Sequence, residues 1–395
     1  MNKTIRDIDI ENKKVLLRVD FNVPLNEKNQ ITSDARIRAT LPTINYLLER
    51  DASTILCSHL GRPGGKRVDG LSLRIAAQRS SELLNQPVKM AEDCIGAKVH
   101  EMVDNLESHE LMLLENVRFH PEEKENDDSF AQALANLAET YVNDAFGACH
   151  RAHASIVGVP KYLPAAAGLL LEKELKTLGN LLRNPGHPFG GLFGGAKVND
   201  KVATLENIMD KLDFLLIGGA MAALFLKAKG YEIGQSEIEQ DKLDIASTLM
   251  DKVAGNGTKL LLPVDLIVAE RGDALANTET VSAKNMPSNM KIVDIGPQTA
   301  RDFQDKLHDC LTVFWNGPMG IYEISPFASG TRSIANYLAD LKATTIVAGG
   351  STAEIVDDLG LTDRMGFVST GGGATLKYLA GNSLPGVKAL PEARA

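Results

Sequence analysis

The sequence predicts an α/β protein of two domains, each with a mainly parallel sheet flanked by helices. Three observations predict this fold class. The chain has 395 residues, which is more than a single domain usually contains. Short apolar runs alternate with amphipathic helical segments along its whole length, as in βα units. A helical segment followed by a Pro/Gly-rich break at residues 184–188 divides the chain near its middle.

Composition describes an ordinary globular protein, with 44% apolar residues, 24% charged residues and a net charge of −9. An acidic chain does not suit a surface that coats nucleic acid, and the longest apolar runs, such as residues 164–171, are too short to cross a membrane. The N-terminus lacks the apolar core of a signal peptide. The four cysteines are scattered without a CxxC pair, which is typical of reduced thiols. We expect a cytoplasmic monomer without nucleic-acid or membrane partners.

The first half alternates predicted strands and helices in order. Apolar β-rich runs predict strands at residues 13–19, 53–57, 111–114 and 141–143. Ser33 and Asp34 are typical of a helix cap, and the apolar face that follows them at helical spacing contains Pro42. Further helices are predicted at residues 73–85 and 129–138. The alternation predicts a parallel sheet.

Each strand of this half ends in polar or glycine-rich sequence. In open α/β sheets, ligands bind beyond the carboxyl ends of the strands. Guanidinium groups suit phosphate and carboxylate, because each can donate two hydrogen bonds at once. We therefore predict an anion-binding cluster at this rim, with solvated loop residues as the alternative. Its candidates are Asp20, Asn22, Arg36, His59, Arg62, Arg118, His150 and Arg151.

The second half repeats the alternation after an amphipathic helix at residues 169–182. Strands are predicted at residues 189–193, 214–217, 260–268 with an interruption at Pro263, 292–295, 311–315, 345–347 and 367–368. Five strand ends carry Gly-Gly or Asn-Gly, which lets the backbone approach a flat or phosphorylated ligand closely. This favours a nucleotide site, and tight βα turns are the alternative. The P-loop, dinucleotide and protein-kinase fingerprints are absent.

Residues 192–201 read as a strand end, a glycine turn and the start of a helix. Lys197 and Lys201 are four residues apart, so they project from one side of this helix start. Lysines are unfavourable at a helix N-terminus, whose partial charge is positive. A phosphate bound between the glycine amides and the lysines would explain them. The alternative is that both lysines are merely solvated.

Seven segments together resemble the phosphoglycerate kinase family. They occur in the family's order and span essentially the whole chain, so the resemblance is highly specific. The segments are RVDFNVP (18–24), SHLGRP (58–63), ENVRF (115–119), DAFG (144–147), GGAKV (194–198), WNGP (315–318) and STGGGA (369–374).

The resemblance implies two Rossmann-like lobes, the first of them a 3-phosphoglycerate-binding N-lobe at residues 1–168 with the C-terminal tail 384–395 packed on it. It implies an interdomain helix and hinge at 169–188 and a nucleotide-binding C-lobe at 189–383. The implied activity is that of a phosphotransferase with a carboxyl group as acceptor. Such an enzyme moves a phosphoryl group reversibly between 1,3-bisphosphoglycerate and ADP, giving 3-phosphoglycerate and ATP in glycolysis with Mg²⁺. The transfer is in line and follows closure of the lobes.

The resemblance also implies site residues, which we name at their positions in this chain. The substrate-binding residues are Asp20, Phe21, Asn22, Arg36, His59, Leu60, Gly61, Arg62, Arg118 and Arg151. The nucleotide-binding residues are Lys201, Gly218, Gly219, Asn316, Glu323, Gly349, Gly350, Ser351 and Thr352. The catalytic groups around the transferred phosphoryl are Arg36, Lys197, Gly371, Gly372 and Gly373.

Two positions depart from the family pattern. Ser351 stands where the family usually has an aspartate that approaches the magnesium of the nucleotide, so we assign no protein ligand to the metal. Cys149 replaces a small residue or threonine, which looks tolerable. Two rival functions remain open on the sequence: a different two-lobed phosphotransferase, and a non-catalytic anion-binding protein resembling periplasmic ligand traps.

Overall fold

A computed structural model describes residues 2–195 and 198–393. The chain forms two compact units, the first from Met1–Thr177 with Ser383–Ala395 and the second from Leu178–Asn382. Each unit contains a six-stranded parallel sheet flanked by helices, so the predicted α/β fold class is confirmed.

The first unit alternates strands and helices. Its strands are β1 (Lys14–Arg18), β2 (Ser53–Cys57), β3 (Val88–Met90), β4 (Leu111–Leu113), β5 (Thr140–Asn143) and β6 (Ala165–Ala167). Its helices are α1 (Ala35–Leu48), α2 (Arg74–Leu84), α3 (Ala97–Asp104), α4 (Pro121–Glu125) and α5 (Asp128–Ala135), and α6 (Leu169–Arg183) runs from this unit into the next. Every residue of β2, β4 and β5 is buried, as expected for a parallel sheet covered on both faces.

The strand order of the first sheet is β3-β4-β2-β1-β5-β6, and all neighbours are parallel. The chain proceeds from β1 to β2 on one side and later returns to place β5 on the other side of β1. The connections therefore reverse direction between β1 and β5. Ligands of open α/β sheets bind at such a switch point, beyond the carboxyl ends of the strands.

The second unit also contains a six-stranded parallel sheet whose connections reverse direction once. The strands of its parallel sheet are β7 (Phe189–Phe193), β8 (Phe214–Ile217), β9 (Lys259–Leu261), β13 (Thr312–Asn316), β14 (Thr344–Ala348) and β15 (Phe367–Val368). Its helices are α7 (Asn199–Ile208), α8 (Gly219–Ala228), α9 (Leu243–Asn256), α10 (Pro297–Leu307), α11 (Ser329–Asp340), α12 (Gly350–Asp358) and α13 (Gly373–Leu379). The order β15-β14-β13-β7-β8-β9 puts the switch point between β7 and β13.

A second, antiparallel sheet in this unit was not predicted. It has three strands, β10 (Asp265–Ala269), β11 (Thr278–Ser282) and β12 (Lys291–Ile295), in the order β11-β10-β12. The predicted strand at 260–268 is in fact two strands in two sheets, because the chain breaks at Pro263 and redirects β10 away from β9. β11 escaped prediction because it is mostly exposed and polar.

The C-terminal segment belongs to the first unit. Its short helix α14 (Pro385–Lys388) packs against the loop after β5, where the Gly386 amide donates to the Cys149 carbonyl at 2.9 Å. Farther along, the Lys3 amide donates to the Pro391 carbonyl at 2.8 Å. Among the described residues, no helix is both long enough and apolar enough to span a bilayer.

Candidate active site

The switch point of the first unit gathers most of the predicted anion-binding residues. Asp20 and Asn22 follow β1, and His59 follows β2. Arg118 lies in a 3₁₀ turn (Val117–Phe119) after β4, and Arg151 follows a second such turn (Phe146–Ala148) after β5. Arg36 enters from the first turn of α1.

Hydrogen bonds connect several of these residues and the loop after β2. The Arg36 Nη1 donates to Asp20 Oδ2 at 2.9 Å. The Gly61 amide donates to Asn22 Oδ1 at 2.8 Å, and the Gly61 carbonyl accepts from Arg118 Nη1 at 2.8 Å. We call Asp20, Asn22, Arg36, His59, Arg118 and Arg151 the basic cluster.

The electrostatics of the basic cluster favour an anion. Burial, together with the nearby Arg151 and Arg18 guanidinium groups, lowers the pKa of Arg118 to about 10. The Nε of Arg118 is buried and has no hydrogen-bond partner among the described residues. Since repelling cations and an unsatisfied donor both cost free energy, a bound phosphate or carboxylate would offset both.

Three predicted substrate-binding residues occupy other positions in the loops. The side chains of Phe21 and Leu60 are buried in the core, so only their backbones could face a ligand. The Phe21 amide donates to Ser58 Oγ at 2.9 Å, and the Leu60 carbonyl accepts from Asn116 Nδ2 at 2.7 Å. Arg62 is exposed in the loop after β2.

The switch point of the second unit opens into a cavity of about 440 Å³. Its floor is the junction of β7 with β13, where the Gly194 amide donates to the Asn316 carbonyl at 2.9 Å. Eight of the nine predicted nucleotide-binding residues line it: Lys201, Gly219, Asn316, Glu323, Gly349, Gly350, Ser351 and Thr352. The ninth, Gly218, lies beside them, and its amide donates to the Phe193 carbonyl at 2.8 Å.

Steric crowding explains why the cavity floor is formed by glycines. A Cβ on Gly194 would lie 2.1 Å from the Pro318 carbonyl oxygen. Gly219 has φ +58°, and a Cβ there would lie 2.4 Å from the Gly195 amide nitrogen. Backbone replaces side chains at this point, which leaves room for a ligand above the sheet.

Polar groups converge on this cavity. Lys201 is buried at the start of α7, and its Nζ donates to the Gly194 carbonyl. Asn316 Oδ1 is buried and has no partner within the described part of the chain, so a ligand donor could satisfy it. Thr352 Oγ1 accepts from the Gly317 amide at 2.7 Å, whereas Ser351 is exposed in the first turn of α12.

The predicted catalytic groups are only partly visible. Lys197 lies outside the described residues. Gly371 and Gly372 lie between β15 and α13, Gly373 is the first residue of α13, and Gly372 has φ +51°. None of these three glycines is among the residues that line the cavity.

Sequence reasoning missed one charged residue of the cavity wall. Asp294, on β12, forms part of the cavity wall, and its Oδ2 accepts from the Gly330 amide at 2.6 Å. Burial raises the pKa of Asp294 to about 7, despite hydrogen bonds from Gly330, Ile295 and Ser329 that lower it. The predicted run at 292–295 could not reveal this role, because the antiparallel sheet that places it at the cavity was unrecognised.

One group of possible metal ligands lies in the first unit. Asp93, Cys94 and His120 offer three ligand atoms within 4.8 Å of one another. His120 Nε2 and Asp93 Oδ1 form an ion pair at 2.7 Å, and burial raises the pKa of the Cys94 thiol well above its usual value. The carboxylate and imidazole already satisfy each other.

Comparison with known proteins identifies the family. The family model for phosphoglycerate kinase matches residues 5–382. The phosphoglycerate kinase of Moorella thermoacetica is 49% identical over 98% of this chain and 99% of its own length. That of Gloeothece citriformis is 50% identical over 99% of both chains. The structure of phosphoglycerate kinase from Coxiella burnetii aligns with a TM-score of 0.86 at 39% identity, and that from Pyrococcus horikoshii with 0.88 at 32%, each over 98% of both chains. The chain therefore belongs to the phosphoglycerate kinase family and has that family's glycolytic kinase activity.

Proposed function

We propose that the first unit binds 3-phosphoglycerate or 1,3-bisphosphoglycerate and that the second unit binds ADP or ATP. One observation carries this division. Each unit has its own switch point, and the two differ in chemistry: guanidinium groups dominate the first, whereas glycine backbone and one buried lysine form the second. Fixed cations suit a compact anion, and a glycine-lined cavity suits a larger, flat ligand.

The second cavity fits a nucleotide with Mg²⁺. Among the described residues that line it, exposed Glu323 and Ser351 and the unsatisfied Asn316 Oδ1 offer side-chain oxygens. Mg²⁺ prefers oxygen ligands and usually keeps waters and substrate phosphates. The metal would thus be held mainly by the nucleotide, with Ser351 as a neighbour, and would neutralise charge on the phosphates. Lys201 would bind a phosphate oxygen from below.

The transfer requires positioning and charge neutralisation rather than a nucleophilic side chain. The attacking group is the carboxylate of 3-phosphoglycerate or the terminal phosphate of ADP, and charge spreads over three equatorial oxygens of the phosphoryl group. Arg36, Lys197 and the amides of Gly371, Gly372 and Gly373 would surround those oxygens. Since the reacting atoms must approach to about 3 Å, we infer that closure of the lobes on a hinge at residues 169–188 brings the two ligands together for in-line transfer.

We also propose that the protein acts as a cytoplasmic monomer. Its four cysteines are buried and unpaired, which suits a reducing compartment.

Amide hydrogen exchange tests the division. With 3-phosphoglycerate alone, protection should rise in peptides that contain residues 20–22, 59–62, 118 and 151. With ADP and Mg²⁺ alone, it should rise in peptides that contain residues 194–201, 218–219, 316–323 and 349–352. Protection of the same peptides by both ligands would contradict separate sites.

A further inference from the structure

A series of four buried, hydrogen-bonded polar side chains lies behind the basic cluster. It consists of Glu123 on α4, Ser155 after β5, Arg18 at the end of β1 and His59 after β2. Their exposed fractions are 0%, 1%, 1% and 4%. Burying a polar group costs free energy unless it is hydrogen-bonded. The hydrogen bonds within this series therefore determine which atoms carry protons.

The hydrogen bonds run in one direction. Glu123 accepts from Ser155 twice, at 2.9 Å from the amide and at 2.7 Å from Oγ. Because Ser155 Oγ gives its single proton to Glu123, it can only accept from Arg18 Nε, at 2.8 Å. Arg18 also donates from Nη1 to the Val19 carbonyl. These bonds fix the plane of the guanidinium.

The remaining contact determines the tautomer of His59. Arg18 Nη2 lies 3.2 Å from His59 Nδ1. A guanidinium has donors and no acceptor, so Nδ1 must be the acceptor and carry no proton. In a neutral imidazole the proton then lies on Nε2.

Surrounding charges favour the neutral form. Burial lowers the pKa of His59 well below its usual value, and the guanidinium groups of Arg18, Arg118, Arg36 and Arg151 lower it further. The carboxylate of Asp20 is 3.9 Å from His59 Nδ1, but Arg36 already pairs with it.

We propose that Arg18 is a positioning residue, held by Ser155 and Glu123, which fixes His59 as the neutral tautomer with its proton on Nε2. His59 then offers a bound anion one oriented, uncharged donor, while the arginines supply the charge. This role rests on the proposed binding of 3-phosphoglycerate at the basic cluster. The tautomer itself does not depend on that assignment.

Nuclear magnetic resonance of ¹⁵N-histidine-labelled protein tests the tautomer without ligand, with His59→Gln to assign the signals. We expect Nδ1 of His59 at the shift of an unprotonated nitrogen and Nε2 at that of a protonated one at pH 7. An imidazolium, or a proton on Nδ1, would overturn the proposal whether or not the substrate assignment holds.

Ser155→Ala tests the positioning role, because it removes the support of Arg18 and leaves the basic cluster intact. We expect a mixture of His59 tautomers and a KM for 3-phosphoglycerate raised about two- to tenfold, the range for one hydrogen bond, with the KM for ATP unchanged. Ser80→Ala is the matched control, since Ser80 Oγ is buried in the same unit without a hydrogen-bond partner among the described residues. An unchanged tautomer, or an unchanged KM with altered tautomers, would overturn the role of Arg18. In wild-type protein, we expect 3-phosphoglycerate to shift the nitrogen signals of His59. Signals that do not move on addition of 3-phosphoglycerate would count against the substrate site and leave the tautomer assignment intact.

Discussion

Arg36 is held in place by one carboxylate, Asp20, at 2.9 Å, and 28% of its side chain is exposed. This arrangement leaves guanidinium hydrogens for a ligand. We expect Arg36→Ala to lower kcat on the order of 10²–10³-fold, as for loss of one preorganised donor, and to change KM less. Arg38→Ala is the matched control, because Arg38 is on the same helix and pairs with Asp34 at 2.7 Å. Steady-state kinetics of both variants measure the difference, and near-normal turnover of Arg36→Ala would refute its catalytic role.

Ser351 provides a neutral hydroxyl where a carboxylate would be a stronger ligand for magnesium. It is exposed at the cavity, so an added carboxylate would have room. We expect Ser351→Asp to reach half-maximal rate at a lower magnesium concentration, without loss of turnover. A magnesium titration of the initial rate at saturating ADP compares it with wild type. An unchanged curve would show that position 351 is beyond the reach of the metal, and a folded but inactive variant would show that the site requires serine.

At the scale of elements, the junction of β7, α8 and β13 depends on glycine. Gly219→Ala would force a positive φ on alanine and place its Cβ 2.6 Å from the Pro318 carbonyl oxygen. We expect the free energy of unfolding to fall by about 2–4 kcal/mol, from backbone strain and overpacking together. Gly350→Ala is the control, because a Cβ at Gly350 meets nothing within 4 Å. Urea denaturation measures both variants, and equal losses would contradict the steric explanation.

The N-terminus of α11 is held by Asp294, whose carboxylate accepts from Gly330 and Ser329. Burial raises the pKa of Asp294 from 3.8 to about 7, so protonation is favoured in the folded state. The stability that this preferential protonation contributes is therefore complete below about pH 4 and is lost as the pH rises through about 7. Because asparagine does not titrate, we expect the free energy of unfolding of Asp294→Asn, measured relative to wild type, to increase as the pH rises from about 4 to about 7. Urea denaturation at several pH values tests this, and a constant difference would contradict the raised pKa.

The elements also show what sequence could predict. Most of the parallel strands were found because burial on both faces makes them mainly apolar runs, as in β8. The strands β3 and β6, of three residues each, were not predicted. Eight of the nine nucleotide-binding residues that the family resemblance implied line the cavity. Arg18 and Asp294 were missed, since a charged residue inside or beside a strand has no local pattern that distinguishes burial from exposure. β11 was missed because its exposed, polar residues carry no apolar period.

At the scale of the whole molecule, the two units repeat one plan with different side chains. Both sheets reverse their connections once, between β1 and β5 in the first and between β7 and β13 in the second. Each reversal leaves a crevice that the neighbouring helices do not cover. We proposed separate ligands for the two units because different groups fill these two crevices. Substitutions in one crevice should then weaken the binding of only one ligand.

We expect Arg62→Ala, Arg118→Ala and Arg151→Ala to weaken binding of 3-phosphoglycerate while ADP binds with wild-type affinity, because these residues belong to the first unit. The effect should be largest for Arg118, which is buried and hydrogen-bonded to Gly61, and smallest for exposed Arg62. Sulfate should compete with 3-phosphoglycerate and not with ADP, because it fits the same guanidinium donors. Isothermal titration calorimetry with each ligand, with and without sulfate, measures all three effects. Equal loss of both ligands in a folded variant would show that they share one site, and competition of sulfate with ADP alone would place the anion site in the second unit.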